Sequence, residues 1–126
     1  INRITMERGI ITIDEYGAVT IPSGEIWMSE IELIKLFGVI APTIRATIKA
    51  VYKSEVLKEY KVQKYIRLEN GYYADVFSFP MIIAIAFRIN SYGAEQVLNL
   101  LLERMMYERK EKTFLFVGFD KCMMMC

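Results

Sequence analysis

Between Arg45 and Arg67 the chain carries seven cationic side chains against two acids. The cations are Arg45, Lys49, Lys53, Lys58, Lys61, Lys64 and Arg67, and the acids are Glu55 and Glu59. Guanidinium and ammonium groups gathered in this way neutralise phosphates, and an Arg can also take the edge of a guanine in a bidentate contact. The net charge of the chain is only +1, so the basic character is local. Other chemistries find little here. There are no histidines, which removes Ser–His and Cys–His nucleophile pairs and every His-containing metal site. Two thiols, Cys122 and Cys126, close the chain in the run CMMMC. Thiols and thioethers suit a soft metal such as Cu(I), but nothing else in the sequence supports one, and the run reads as an apolar, oxidation-prone end. Phe87-Arg88-Ile89-Asn90-Ser91 has the groups to hold an anion, yet it lacks paired carboxylates or a nucleophile nearby. It reads instead as a helix end followed by a cap. The expectation is a protein without catalytic residues, cofactor or metal.

The elements that position the cations start at Ser29. Ser29 with Glu32 three residues on makes a capping box, and Ile31, Leu33, Ile34 and Phe37 give an apolar helical face that stops at Gly38. Ile44 and Ile48 mark a second helix, so residues 29–53 read as a helix-turn-helix with Gly38 in the turn. In the frame of the Cro-type repressors, Leu33, Phe37, Val39, Ile44 and Thr47 lock the two helices together. Ile40, Ala41, Pro42, Arg45, Ala46 and Lys49 then face the groove. Of these only Arg45 and Lys49 can hydrogen-bond a base edge, with Ile40 or Ala46 available to a thymine methyl.

Around this unit, alternation at Ile10–Ile13 and Ala18–Ile21 across Asp14-Glu15-Tyr16-Gly17 predicts an N-terminal hairpin within residues 1–24. Trp27 precedes the helix cap as an apolar pin, and Ser54 to Lys61 reads as a continued helix or a loop. Val62 to Phe77 flanks Asn70-Gly71, a strong hairpin signal, and a hairpin in this place is the wing of a winged helix-turn-helix. Lys64 and Arg67 on its first strand are expected to face phosphates. Residues 79–112 read as two helices. The first is capped by Ser78 with Pro80 in its first turn, apolar nearly all round and buried. The second runs from about Ala94 to Lys112 with a stripe of Val97, Leu98, Leu101, Leu102 and Met105. Such a stripe packs on the core or pairs with a second subunit. Thr113 to Phe119 is a β-prone run.

The 126 residues read as one domain with 54% apolar and 25% charged residues, typical of an ordered globular chain. The longest apolar run, Phe79 to Phe87, is far short of the roughly 20 residues of a membrane span. Early charges at Arg3, Glu7 and Arg8 argue against a secretory signal. Cysteine scarcity points to a reducing, cytoplasmic setting. Ile1 in place of Met suggests a piece of a longer protein.

Trp27-Met28-Ser29, Leu36-Phe37-Gly38-Val39, Pro42-Thr43-Ile44 and Phe87-Arg88-Ile89-Asn90-Ser91, taken in this order and spacing, resemble the RhuM virulence-protein family of bacteria. The similarity runs roughly from Val19 to Met105 and extends more distantly to the N-terminal domains of phage antirepressors. It implies a bacterial protein of mobile elements with a DNA-binding front end. Two departures stand out. Ile40-Ala41 precede Pro42 where the family carries a polar or basic residue, and the aliphatic run Leu98 to Leu102 replaces a Trp-containing box.

The sequence thus predicts an α+β domain of winged helix-turn-helix type that binds double-stranded DNA as a homodimer. Its expected DNA-binding residues are Thr43, Arg45, Lys49, Lys53, Lys61, Lys64 and Arg67. The alternative is a protein-interaction module that keeps the helix-turn-helix as scaffold and docks a protein partner.

Overall fold

A computed structural model describes residues 7–117, with side chains described for residues 7–108. The fold is α+β, with a two-stranded and a three-stranded sheet and five helices. The predicted N-terminal hairpin is present in short form, with β1 (Thr12–Ile13) antiparallel to β2 (Val19–Thr20). Asp14 closes its turn by accepting from the N–H groups of Tyr16 and Ala18 through one carboxylate oxygen, at 2.8 and 2.9 Å.

β3 (Trp27–Ser29) leads directly into α1 (Glu30–Phe37). The capping box is formed as expected. The Glu32 carboxylate accepts from the Ser29 N–H at 2.8 Å, and the Ser29 hydroxyl accepts from the Glu32 N–H at 3.5 Å. Leu33, Leu36 and Phe37 are buried, but Ile31 is 67% exposed and not part of the apolar face. Two residues before Leu33, it lies about 200° around the helix from it. Gly38 ends α1 at φ +67° and donates its N–H to the Ile34 carbonyl at 2.8 Å. A Cβ on Gly38 would meet nothing within 4 Å, so only the backbone conformation resists substitution. Gly38→Ala should therefore cost about 1 kcal/mol, seen as a lower urea midpoint at unchanged slope.

Val39 and Ile40 complete the turn, and α2 (Ala41–Lys53) follows with Pro42 in its first turn. Ile44 and Val51 are buried and Ile48 half-buried. α2 does not continue past Ser54. Glu55 takes φ +64°, and the chain reaches a single-turn helix, α3 (Glu59–Val62).

β4 (Gln63–Arg67) and β5 (Tyr73–Ser78) pair antiparallel, and β3 joins on the far side of β5, giving the order β3-β5-β4. The turn between β4 and β5 is wider than a two-residue hairpin. Leu68 N–H donates to the Tyr72 carbonyl at 2.7 Å, Gly71 takes φ +92°, and Asn70 Oδ1 accepts from the Tyr72 N–H. Asn70 itself keeps a negative φ, so Gly71 alone supplies the conformation for which the Asn-Gly pair was predicted.

α4 (Phe79–Arg88) buries Met81, Ile82, Ile85 and Ala86 and packs against α2 on one side and α5 on the other. It is not buried all round, since Phe87 is 69% exposed. The expected cap is not made by the Ser78 side chain, whose hydroxyl is buried without a hydrogen-bond partner. α5 spans Tyr92–Val117 and is capped by Ser91 Oγ, which accepts from the Ala94 N–H at 3.2 Å. Thr113 to Val117, predicted as β-prone, belongs to this helix. The end of that run and the CMMMC segment with Cys122 and Cys126 lie outside the described residues. The core is one cluster in which Met28, Leu33, Phe37, Ile44, Met81, Ile82, Ile85 and Val97 are fully buried. No helix among the described residues is long and apolar enough to cross a membrane.

Candidate nucleic-acid interface

α2 reads Ala-Pro-Thr-Ile-Arg-Ala-Thr-Ile-Lys-Ala-Val-Tyr-Lys and carries three cations and no acid. Arg45, Lys49 and Lys53 recur at intervals of four, so they follow one another along one side of the helix, about 6 Å apart per step. All three are exposed, while Ile44 and Val51 face the core. Arg45 Nε donates to Glu30 Oε2 at 2.6 Å. Both side chains of this pair are substantially exposed, at 67% and 32%, so a competing phosphate displaces Glu30 at a cost of roughly 1 kcal/mol or less. Lys49 and Lys53 have no ion-pair partner among the described residues. Thr43 is half-buried in the first turn, and its carbonyl accepts from Thr47 Oγ1 at 2.7 Å.

Across from α2 stands the β4–β5 hairpin, separated from it by a cleft of about 500 Å³ whose lining includes Arg45, Ile48, Lys49, Tyr52, Asp75 and Phe77. The two walls touch where the Tyr52 hydroxyl donates to Gln63 Oε1 at 2.7 Å. Burial, with Glu59 and Asp75 nearby, pushes the Tyr52 hydroxyl up to about 12, so it remains a donor throughout the physiological range. The cleft's walls are mostly apolar, and the acids Glu30 and Asp75 line it together with the cations Arg45 and Lys49.

Strand alternation divides the remaining predicted residues. Gln63 faces α2 and its register partner Phe77 belongs to the core. Tyr65, Arg67, Tyr73 and Asp75 share that side of the hairpin. Tyr65 and Tyr73 stack with ring centroids 5.6 Å apart. Lys64 points to the opposite face, where its Nζ lies 4.4 Å from the centre of the Trp27 ring. Lys64 and Arg67, three residues apart on β4, therefore point to opposite faces of the hairpin rather than to one side of it. Lys58 and Lys61 border a second hollow beside Trp27. The basic cluster thus separates into a row on α2, with Arg67 across the cleft, and a group of Lys58, Lys61 and Lys64 around Trp27.

Sequence reasoning missed the groups that hold this frame in place. Arg8 is 1% exposed at its side chain. Its guanidinium donates to both carboxylate oxygens of Glu32 (2.6 and 2.8 Å), to Glu69 Oε1 (2.9 Å) and to the Trp27 carbonyl (2.8 Å). The same Glu32 oxygen that takes the Ser29 N–H also takes Arg8, so one residue ties the entry of α1 to the loop of the hairpin. Burial penalises the Glu32 carboxylate, but hydrogen bonds from Arg8 and Ser29 outweigh it and hold its pKa below the usual carboxylate range. Arg8 also draws the Glu69 carboxyl down. Tyr52, Gln63 and Asp75, which shape the cleft, likewise carry no motif. Their only signal was the strand period that sets Gln63 and Asp75 on one side.

No protein-family model matches the chain, and neither a characterised protein nor a solved structure is similar enough to be matched to it.

Proposed function

We propose that this protein binds double-stranded DNA through α2, as a winged helix-turn-helix whose wing is the β4–β5 hairpin. The observation that carries this reading is the row Arg45, Lys49 and Lys53, exposed on a helix with no acidic residue. The element order strand, helix, three-residue turn, helix, single-turn helix, hairpin, with sheet order β3-β5-β4, supports it, as does the resemblance to the RhuM family. Arg45 reads a base edge, Lys49 and Lys53 neutralise phosphates along the groove, and Arg67 and Thr43 add contacts at either end. Lys61 and Lys64, beside Trp27, lie apart from this row. With Ile40, Pro42 and Ala46 as its other exposed positions, α2 relies on phosphate contact and DNA shape more than on base readout.

Fluorescence anisotropy with a mixed-sequence duplex across a salt series tests the proposal. Binding should fall steeply with salt. The Lys49→Ala/Lys53→Ala variant should flatten the log–log slope by about 1.8, two phosphates at roughly 0.9 each, whereas Lys64→Ala should leave the slope unchanged. No binding at about 50 mM salt, where non-specific contacts are strong, rejects the reading. A protein partner on the same surface is the second reading. It is favoured by Ile31, which lines the cleft with Arg45, and by Ile40 in the turn, both 67% exposed.

A further inference from the structure

α5 does two different things along its length. Its first turns bury Ala94 and Val97 and half-bury Leu98 and Leu101 against the domain. From Leu102 to Glu108 every side chain is exposed, yet the apolar row continues through Leu102 (52%), Met105 (64%) and Met106 (68%). An apolar row that runs off the core onto a stretch of helix left exposed by the described residues marks an interaction surface.

The charges beside the row select its occupant. Arg104 and Glu108 stand one turn apart, bordering Leu101 and Met105 on the same flank. Neither has an ion-pair partner among the described residues. Two copies of this helix laid antiparallel about a two-fold axis near Met105 and Met106 bring Arg104 of each copy beside Glu108 of the other, twice over. A two-fold contact is self-complementary in this way because each patch meets itself reversed. A parallel, in-register pair would instead set each charge at the level of its own copy.

We infer that α5 is the homodimer interface of this protein, pairing antiparallel with a second copy through Leu102, Met105 and Met106 and locked by reciprocal Arg104–Glu108 pairs. This deepens the DNA-binding reading, on which it rests for its consequence, since a two-fold dimer presents two α2 helices to two half-sites. The association itself needs no DNA.

Sedimentation velocity of the full chain from about 1 to 100 µM, a range bracketing ordinary dimer affinities, should show a dimer. Leu102→Glu/Met105→Glu should sediment as a monomer that keeps a cooperative melting transition, because neither residue is in the core. Arg104→Glu and Glu108→Arg should each weaken the dimer at least tenfold, and the double exchange Arg104→Glu/Glu108→Arg should restore it. A monomeric wild type, a dimer that survives Leu102→Glu/Met105→Glu, or an exchange that fails to rescue overturns the inference. A monomer that still binds duplex DNA overturns only this inference. A dimer that binds none overturns only the DNA reading.

Discussion

Gly93→Ala should destabilise the protein by about 3 kcal/mol, the upper end of overpacking costs. This corresponds to a melting temperature lower by roughly 12 °C for a domain of this size. Gly93 is buried in the first turn of α5, where that helix crosses the end of α1. A Cβ there would meet the Leu36 carbonyl oxygen head-on and come within 2.9 Å of the Phe37 Cα. Both are backbone atoms, so no rotamer change relieves the clash and one helix must move. The end of α1 is also the start of the turn at Gly38, so a displaced α1 re-aims α2. On the proposed DNA-binding function, loss of duplex affinity should therefore accompany the drop in melting temperature. Asn99→Ala, an exposed change on the same helix, should alter neither. A melting temperature within a few degrees of wild type for Gly93→Ala would show that the helix contact is looser than described.

Arg8→Met should cost about 3 kcal/mol at pH 7, because removing one partner of a buried ion pair leaves the other charge uncompensated. The stem of Met keeps the packing, so the loss reports the charge. Its pH dependence has a definite sign. In the folded wild type the Glu32 carboxyl titrates below its ordinary 4.5. Its contribution is thus fully present above that value and lost as pH falls through the folded one. Without Arg8 the main remaining influence on Glu32 is burial, which favours the neutral acid. The gap in stability between wild type and Arg8→Met should then narrow steadily below about pH 4.5. Chemical denaturation at pH 7 and pH 3.5 reads both effects. A gap that stays constant across this range would mean that Arg8 acts through packing alone.

Much of the local structure was legible from residues close together in the chain. Ser29 and Glu32 form their capping box, Gly38 adopts its left-handed turn and the apolar run after Pro80 becomes a helix, buried along Met81, Ile82, Ile85 and Ala86. In each case the cause is a backbone hydrogen bond or a steric preference acting over four residues or fewer. Asn70-Gly71 shows the limit of such reasoning. The dipeptide correctly marked a hairpin, but only Gly71 uses positive φ, because the strands it joins end earlier than a two-residue turn requires. Ile31 shows another limit. It satisfied the count of apolar residues without satisfying the helical angle, and it ended in solvent.

The candidate site was legible only as a composition. That seven cations crowd between Arg45 and Arg67 is visible in the sequence, and the four-residue spacing of Arg45, Lys49 and Lys53 places them on one face of any helix. That Lys64 and Arg67 take opposite faces was in principle readable from strand period alone. Which face looks at α2 was not, because that depends on Phe77 joining the core.

The capping box at Ser29, the left-handed turn at Gly38 and the row of cations on α2 follow from the sequence by itself, since short-range backbone and side-chain physics decides them. Only the tertiary structure decided that Arg8 reaches residues 24 and 61 positions away, that Gly93 lies against α1, that a cleft opens between α2 and the hairpin, and that Leu102, Met105 and Met106 on α5 stay exposed. These depend on which elements pack together, and packing is set by the shape of the whole core rather than by any one stretch of chain.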